Sequence, residues 1–195
     1  FDKLNYGKDN ILGISQRGTE ETVKTFTLQD VENYYANNIS SQGTNVVVVG
    51  DLTEGEIVPK LSFLNKLPNK KVEIPAVKAT SNVEKTKIYF VDVKGAAQTE
   101  FRVGDITNLK YDATGEYYKA FLTNFPLGGA FNSRINLNLR EDKGWTYGAR
   151  SGFNGDKYTG DFSFFSGIRA PATDSALTEV LKELKEYAAN GVTED

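Results

Sequence analysis

The sequence predicts an α+β fold, a two-layer sandwich with a largely antiparallel sheet and helices packed on one face. Strand-like runs come in pairs around short turns, amphipathic helices come in blocks, and no repeated βαβ rhythm follows Asp51. The 195 residues, 39% of them hydrophobic, supply enough apolar surface for a folded core. We expect one domain over 1–195, cut from a longer chain, with a Lys-, Pro- and Asn-rich internal connector at 67–84.

Composition excludes several classes of function. The 23 basic and 26 acidic residues are scattered along the sequence, without a stripe of Lys and Arg that could neutralise phosphates. We therefore expect no nucleic-acid partner. The chain has neither Cys nor His. It therefore cannot form a Ser-His-Asp relay, a Cys-His pair or the usual catalytic zinc site. No apolar run approaches the roughly 18 residues of a membrane-spanning helix, so we expect no membrane insertion.

The first half of the chain carries two capping-box signatures. Thr27 and Asp30 predict the start of a helix, and Thr53 and Glu56 predict a second helix that Pro59 shortens or kinks. Helical spacing predicts a buried stripe on the first of these helices, formed by Leu28, Val31, Tyr34, Tyr35 and Ile39. The β-branched run 46–49 predicts a strand covered on both faces.

The second half predicts two hairpins separated by helices. Strand-like runs 85–93 and 97–106 flank a turn at 94–96, and runs 145–153 and 157–167 flank Asn154-Gly155-Asp156. Between the hairpins we expect a helix capped by Asp112 and a second helix in which apolar residues repeat every four positions. The apolar residues of these helices are Tyr117, Tyr118, Phe121, Leu122 and Phe125, then Phe131, Ile135 and Leu139. A last helix buries Leu177, Val180, Leu181, Leu184 and Tyr187 and ends before Gly191.

Three motifs have ordinary structural interpretations. Gly128-Gly129 precedes a helix, but no P-loop or dinucleotide fingerprint accompanies it, which favours a tight turn. Glu141 and Asp142 point about 100° apart on a helix, which favours a solvated helix end over a carboxylate pair. The aromatic residues from Tyr111 to Phe125 could stack nucleic-acid bases, but their helical spacing favours a core.

Arg140 and Tyr147 are the candidate substrate-binding residues. Arg140 lies near a helix end and Tyr147 lies three residues into the next strand. A guanidinium and a phenol that converge could hold a peptide carbonyl and stabilise negative charge on its oxygen. Taken separately, Arg140 is more often a charge at a helix terminus, and Tyr147 is more often a half-buried strand residue.

Residues 127–134 and 139–147, read as Leu-Gly-Gly-Ala-Phe-Asn-Ser-Arg and Leu-Arg-Glu-Asp-Lys-Gly-Trp-Thr-Tyr, carry a resemblance to a known family. They resemble the C-terminal, non-metal-binding domain of the pitrilysin/insulinase (inverzincin) zinc metallopeptidases. Mitochondrial processing peptidase subunits and the core proteins of the cytochrome bc1 complex are relatives. Residues 46–53 are similar to the opening of the same domain, so the resemblance covers nearly the whole chain.

The resemblance implies that substrate is bound by this segment and zinc by another domain or subunit. Arg140 and Tyr147 match the family's substrate-binding pair, and this segment would hold no catalytic residue, metal or cofactor. Zinc would be bound by an N-terminal domain or partner subunit carrying H-x-x-E-H. The expected function is that of the substrate-binding domain of a zinc metalloendopeptidase acting on unfolded peptides. The alternatives are an inactive subunit of a larger complex and a free-standing binding module.

Overall fold

The computed structural model describes residues 1–74, 76–79, 81 and 83–192. The chain divides into two compact units, one of Ser15–Ala76 and one of Phe1–Ile14 with Val77–Asp195. The boundary after Ala76 falls inside the predicted connector 67–84, of which positions 75, 80 and 82 lie outside the described residues. The assignment of 1–195 as one domain stays a prediction.

The regular elements of the described residues are as follows. The helices are α1 (Asp2–Tyr6), α2 (Glu20–Thr25), α3 (Leu28–Asn38), α4 (Glu54–Lys60), α5 (Glu116–Asn124), α6 (Arg134–Asn136) and α7 (Thr173–Asn190). The strands are β1 (Gln98–Thr107), β2 (Thr146–Gly155) and β3 (Gly160–Arg169). Short 3-10 turns lie at Ile11–Gly13, Ser62–Lys66 and Ala170–Ala172, and π-helical turns at Phe125–Gly129 and Leu137–Asp142.

Both predicted capping boxes form in the unit Ser15–Ala76. The backbone N–H of Thr27 donates to the Asp30 carboxylate at 2.8 Å, and that of Thr53 donates to the Glu56 carboxylate at 2.8 Å. These bonds satisfy amides that a helix start otherwise leaves unpaired. The hydroxyl and the amide of Thr27 lower the pKa of Asp30, and the amide and the hydroxyl of Thr53 lower the pKa of Glu56. Helix α4 contains Pro59 and is only seven residues long, as predicted.

The predicted burial in this unit is wrong. Residues 46–49 form no strand, and the side chains of Val47 and Val49 are 84% and 91% exposed. The apolar residues of α3, including Leu28 and Tyr34, are also exposed. A β-branched run is buried on both faces only when it lies in a sheet between neighbouring strands. The described strands pair only with one another, so none pairs with residues 46–49.

The α+β fold is confirmed by an antiparallel sheet of order β1-β3-β2 with helices packed against it. The central strand β3 pairs with β1 through Phe101↔Ser166 and with β2 through Ala149↔Ser166. Alternation along the strands places Phe101, Phe164 and Ala149 on the side that packs in the hydrophobic core. The sheet and core belong to the unit of Phe1–Ile14 with Val77–Asp195.

The first predicted hairpin does not form. Strand β1 arises close to its predicted position, but it pairs with β3 rather than with 85–93. Residues 85–93 have no strand structure, and Ile88, Phe90 and Val91 are exposed. A turn remains after Val93, whose carbonyl accepts from Ala96 N at 3.1 Å. The local turn signal was therefore right, while the choice of strand partner was not.

The second hairpin forms with its turn shifted. Asn154 and Gly155 pair in the ladder opposite Asp161 and Gly160, so the turn begins at Asp156. The Asp156 carboxylate accepts from the backbone N–H groups of Tyr158 at 2.6 Å and Thr159 at 2.8 Å. This side-chain acceptor stabilises the turn one step beyond the predicted Asn-Gly position.

The helices before β2 also differ from the prediction. Asp112 accepts from Thr114 N at 3.0 Å and does not cap α5, whose N-cap is Gly115. The expected aromatic core is largely exposed at Tyr118, Phe121, Leu122 and Phe125. Phe131 lies outside any helix, because α6 begins at Arg134 and continues as the π-helical turn to Asp142.

The buried core lies where the helices meet the sheet. Helix α7 contributes Val180 and Tyr187, as predicted, and Ala176 in place of the more exposed Leu181. The large, fully buried apolar side chains of the core are those of Ile135, Leu139, Phe164, Ile168 and Val180. Helix α7 ends before Gly191, as predicted. Within the part of the chain that the structure describes, no helix is long and apolar enough to cross a membrane.

Candidate substrate-binding site

Arg140 lies in the π-helical turn Leu137–Asp142, anchored by the buried side chain of Leu139. Its guanidinium carbon lies 4.3 Å from the centre of the Phe131 ring, and its side chain is 31% exposed. One guanidinium nitrogen, Nη1, lies 3.1 Å from Glu141 Oε1. That nitrogen is itself buried and makes no hydrogen bond to any described residue, so the contact is an ion pair without hydrogen-bond geometry. The other guanidinium nitrogens, Nε and Nη2, form no hydrogen bond to a described residue, so the partly exposed side chain keeps these donors free for a ligand.

Tyr147 lies at a β-bulge in β2. Thr146 pairs with Ile168 and Ala149 with Ser166, so β2 has one residue more than β3 between these pairs. The Thr146 hydroxyl stabilises the bulge, because its oxygen lies 3.0 Å from Gly148 N and 2.9 Å from Gly148 O. The Tyr147 side chain is 91% exposed. Bulges commonly redirect a side chain, and this one presents the phenol to solvent.

The two predicted site residues do not contact each other. Arg140 contacts Phe131 and Glu141, whereas no hydrogen bond or ring contact joins Tyr147 to any described residue. Both side chains reach the surface within one continuous helix-to-strand segment. Their shared role in binding substrate stays a prediction.

The glycine pair before Phe131 has a packing role at Gly128. A Cβ atom on Gly128 would lie 2.1 Å from Ser151 Oγ and 2.6 Å from Ser151 N. The π-helical turn Phe125–Gly129 can therefore lie directly against β2 only because this residue has no side chain. This close approach holds the segment that leads to Phe131 beside the strand that carries Tyr147.

Side chains from the neighbouring helices form hydrogen bonds with backbone groups of β2. Asn136 Oδ1 accepts from Ala149 N at 2.9 Å, and Asn124 Nδ2 donates to Ser151 O at 2.8 Å. Tyr117 OH donates to Phe153 O at 3.2 Å. These three side chains, here called the edge caps, bind groups that an edge strand otherwise leaves free.

Helix α7 holds the Arg140 segment from the other side. Arg134 forms ion pairs with Glu183 at 3.0 Å and Glu186 at 3.4 Å. Asn138 donates to Glu179 at 3.0 Å and to Glu183 at 2.9 Å. The hydrogen bond from Asn138 lowers the pKa of Glu179. These contacts fix the helical turn that positions Arg140.

Sequence reasoning missed two residues of the site. Phe131 was assigned to a buried helical stripe, but its side chain is 58% exposed and lies against Arg140. Arg150, on β2, places its guanidinium carbon 6.0 Å from the same ring. The Gly-Gly break before Phe131 and the polar alternation of β2 are the sequence signals that could have indicated them.

The donor chemistry of this chain does not fit zinc. The sequence has no His or Cys, and no group of three or more Asp or Glu among the described residues could hold a metal ion. The site offers guanidinium and phenol donors, which can bind and polarise a carbonyl oxygen.

Comparison with known proteins assigns the chain to a family. The family model described as "Peptidase M16 inactive domain" matches residues 25–195. The solved peptidase M16 inactive domain from Pseudomonas fluorescens superposes with a TM-score of 0.82 at 23% identity, over 98% of this chain and 46% of that one.

Two curated relatives are similar in sequence. The non-peptidase homolog YmxG of Helicobacter pylori is 26% identical over 91% of this chain, and an uncharacterized zinc protease of Streptomyces coelicolor is 25% identical over 96%. The chain spans 40% and 41% of their lengths. In this family zinc belongs to the partner domain. The resemblance to the pitrilysin/insulinase peptidases is confirmed: the chain belongs to the peptidase M16 inactive domain family.

Proposed function

We propose that this chain is the substrate-binding, non-zinc-binding domain of a zinc metalloendopeptidase that acts on unfolded peptides. The observation that carries the proposal is the presentation of Arg140 and Tyr147 at the surface by two special backbone features. Arg140 lies in a π-helical turn and Tyr147 at a β-bulge, and both kinds of irregularity are common at functional sites.

The partner in this proposal is an N-terminal domain or a separate subunit carrying H-x-x-E-H. When bound there, zinc would supply the activated water. The residues of this chain would bind the substrate carbonyl: the Arg140 guanidinium donates from beside Phe131, and the Tyr147 phenol donates from the bulge. Both donors would stabilise the charge that develops on the oxygen.

The edge caps restrict where on β2 a peptide could bind through main-chain hydrogen bonds. The backbone groups of Ala149, Ser151 and Phe153 are already hydrogen-bonded to side chains. A peptide added to this stretch of β2 would therefore have to displace them. In the proposal, the peptide is therefore held by the side chains of Arg140 and Tyr147 and not by main-chain pairing with this stretch of β2.

Kinetics of the complete protein, with its zinc-binding partner, test the proposal. Arg140→Ala and Tyr147→Phe should each lower turnover of an unstructured peptide, by about a hundredfold if each removes a donor to the developing charge. Zinc content should stay unchanged. Arg17→Ala and Tyr118→Phe are matched controls, because both side chains are exposed and neither belongs to the site. Near-normal turnover in both site variants would refute the assigned role.

A second candidate function is that of an inactive subunit in a larger complex. The similarity to a protein named as a non-peptidase homolog favours it, as does the pairing of Arg140 with Glu141 rather than with Tyr147. Under this alternative the complete wild-type protein would hydrolyse no peptide, and Arg140→Ala would leave its assembly unchanged. Measurable zinc-dependent turnover by the wild type would exclude it.

A further inference from the structure

Guanidinium groups and phenyl rings alternate across this part of the surface. The centre of the Phe131 ring lies 4.3 Å from the guanidinium carbon of Arg140 and 6.0 Å from that of Arg150. In the sheet, Phe165 lies opposite both Arg150 and Arg102, and the Arg102 guanidinium lies 5.8 Å from its ring. We call these five residues the cation-aromatic band.

Arg150 differs from the other two arginines of the band in its charge environment. Arg140 lies 3.1 Å from Glu141, and Arg102 lies 3.3 Å from Glu100. No carboxylate among the described residues lies within 4.0 Å of Arg150. Its one hydrogen bond is from Nη1 to Gly129 O, at the limiting distance of 3.5 Å. A guanidinium has five N–H donors, so Arg150 retains capacity for an anionic ligand.

We propose that Arg150 binds an acidic side chain of the peptide and thereby gives the site a preference for acidic substrates. This inference rests on the proposed peptide-binding role of Arg140 and Tyr147. Arginine and a carboxylate form a charge-assisted, often bidentate pair. Nothing in the band competes for that carboxylate position, since its two acidic neighbours already pair with Arg140 and Arg102.

The spacing of the band specifies a peptide pattern. Side chains i and i+2 of an extended peptide lie on one face, about 6.6 Å apart. The Phe131 ring and the Arg150 guanidinium are 6.0 Å apart, and the ring is exposed. An apolar residue against Phe131 therefore places the residue two positions along at Arg150. The preferred pattern is an apolar residue with Glu or Asp two positions away, on either side of it along the peptide.

Binding of matched peptides to the full-length protein tests the inference. The probes are two labelled peptides with blocked termini, identical except for Glu-Ala-Phe-Ala-Glu in one and Gln-Ala-Phe-Ala-Gln in the other. An acidic residue then lies two positions from Phe in either chain direction, and the readout is fluorescence anisotropy. The wild type should prefer the Glu peptide by about fivefold, the worth of a partly exposed ion pair. Arg150→Gln should abolish the preference without weakening the Gln peptide, and Arg150→Lys should restore part of it.

Arg169→Gln is the control, because it removes the same charge from an exposed position on β3 outside the band. It should keep the preference. A wild type that binds both peptides equally, or an Arg150→Gln variant that still prefers Glu, would overturn the inference.

The two proposals fail in different ways. Arg140→Ala and Tyr147→Phe should weaken both peptides by the same factor if the proposed function holds. If they do so while the wild type shows no preference, only the role of Arg150 is overturned. If neither variant changes peptide binding or turnover, the proposed function is overturned and the inference with it.

Discussion

Gly128 illustrates how one missing side chain sets the distance between two elements. A Cβ there would overlap Ser151, and the nearest overlapping atoms include the backbone nitrogen, which cannot rotate away. Gly128→Ala should therefore lower the free energy of unfolding by about 1–3 kcal/mol, the usual cost of overpacking. Urea denaturation measures the loss.

Gly152→Ala is the matched control, since no atom lies within 4 Å of a Cβ at that position of β2. It should change the unfolding free energy by less than about 0.5 kcal/mol. Equal losses in the two variants would show that the strand resists any added side chain, whatever the local packing.

At this scale the sequence was informative about residue types and less so about contacts. The sequence of the helix and the following strand predicts Arg140 and Tyr147 as site residues, and it predicts a structural role for Gly128. The contact of Gly128 with Ser151 was not predictable, because it joins residues that are distant in the chain. Phe131 and Arg150 were missed for a similar reason: their shared environment exists only once β2 lies beside the preceding turn.

Among the elements, β2 depends on side chains where a further strand would otherwise pair. Tyr117 donates to Phe153 O, whereas the adjacent Tyr118 is exposed and makes no hydrogen bond to a described residue. Tyr117→Phe should cost about 1 kcal/mol, the net contribution of a typical hydrogen bond. Tyr118→Phe should be close to neutral, as measured by chemical denaturation. The same loss for both would argue against an edge-capping role of Tyr117.

Helix α7 gives the fold a dependence on alkaline pH. Burial raises the pKa of Tyr187 above its usual value of 10.0, partly offset by the Arg134 guanidinium. The hydroxyl donates to the Thr123 carbonyl. Because the folded state holds this proton more tightly than the unfolded chain, the contribution is complete below about pH 10 and is lost as pH rises through the folded-state pKa.

The wild type should therefore lose more stability than Tyr187→Phe between about pH 9 and pH 11. Urea midpoints at the two pH values give the difference. Tyr118→Phe removes an exposed phenol and should behave as the wild type. Parallel losses in all three proteins would contradict the assignment of this pH dependence to Tyr187.

Element boundaries were predicted best where the signal is local. The capping boxes of α3 and α4 join residues three apart, so the sequence alone specifies them. Strand pairing is non-local, and the run 85–93 was paired with β1 because the two are neighbours in sequence. The structure pairs β1 with β3 instead, since β3 presents a matching apolar face beside the helices.

For the whole molecule, the α+β class followed from the order of the elements, but the position of the core did not. Apolar periodicity shows which face of an element could be buried, and not whether another element covers it. The predicted stripes of α3 and 46–49 are exposed, while the core gathers around Ile135, Phe164 and Val180.

Paired substitutions test this placement of the core. Val47→Thr should change the unfolding free energy by less than about 0.5 kcal/mol, because the side chain is exposed. Val180→Thr should cost about 1–3 kcal/mol, because it buries a hydroxyl where a methyl group was. Thermal or urea denaturation measures both. A large loss at Val47 would instead favour the buried strand that the sequence predicts at 46–49.

The extra residue beside Tyr147 interrupts the alternation of side chains along β2, so residues before and after the bulge that lie on the same face are separated by an odd number of positions. Inserting or removing a single amino acid there would exchange the side chains that meet the helices for those that meet solvent, whereas a change of two would restore the original order. For folding, though not for turnover, position 147 should consequently accept many replacement side chains and very few changes in the spacing around it.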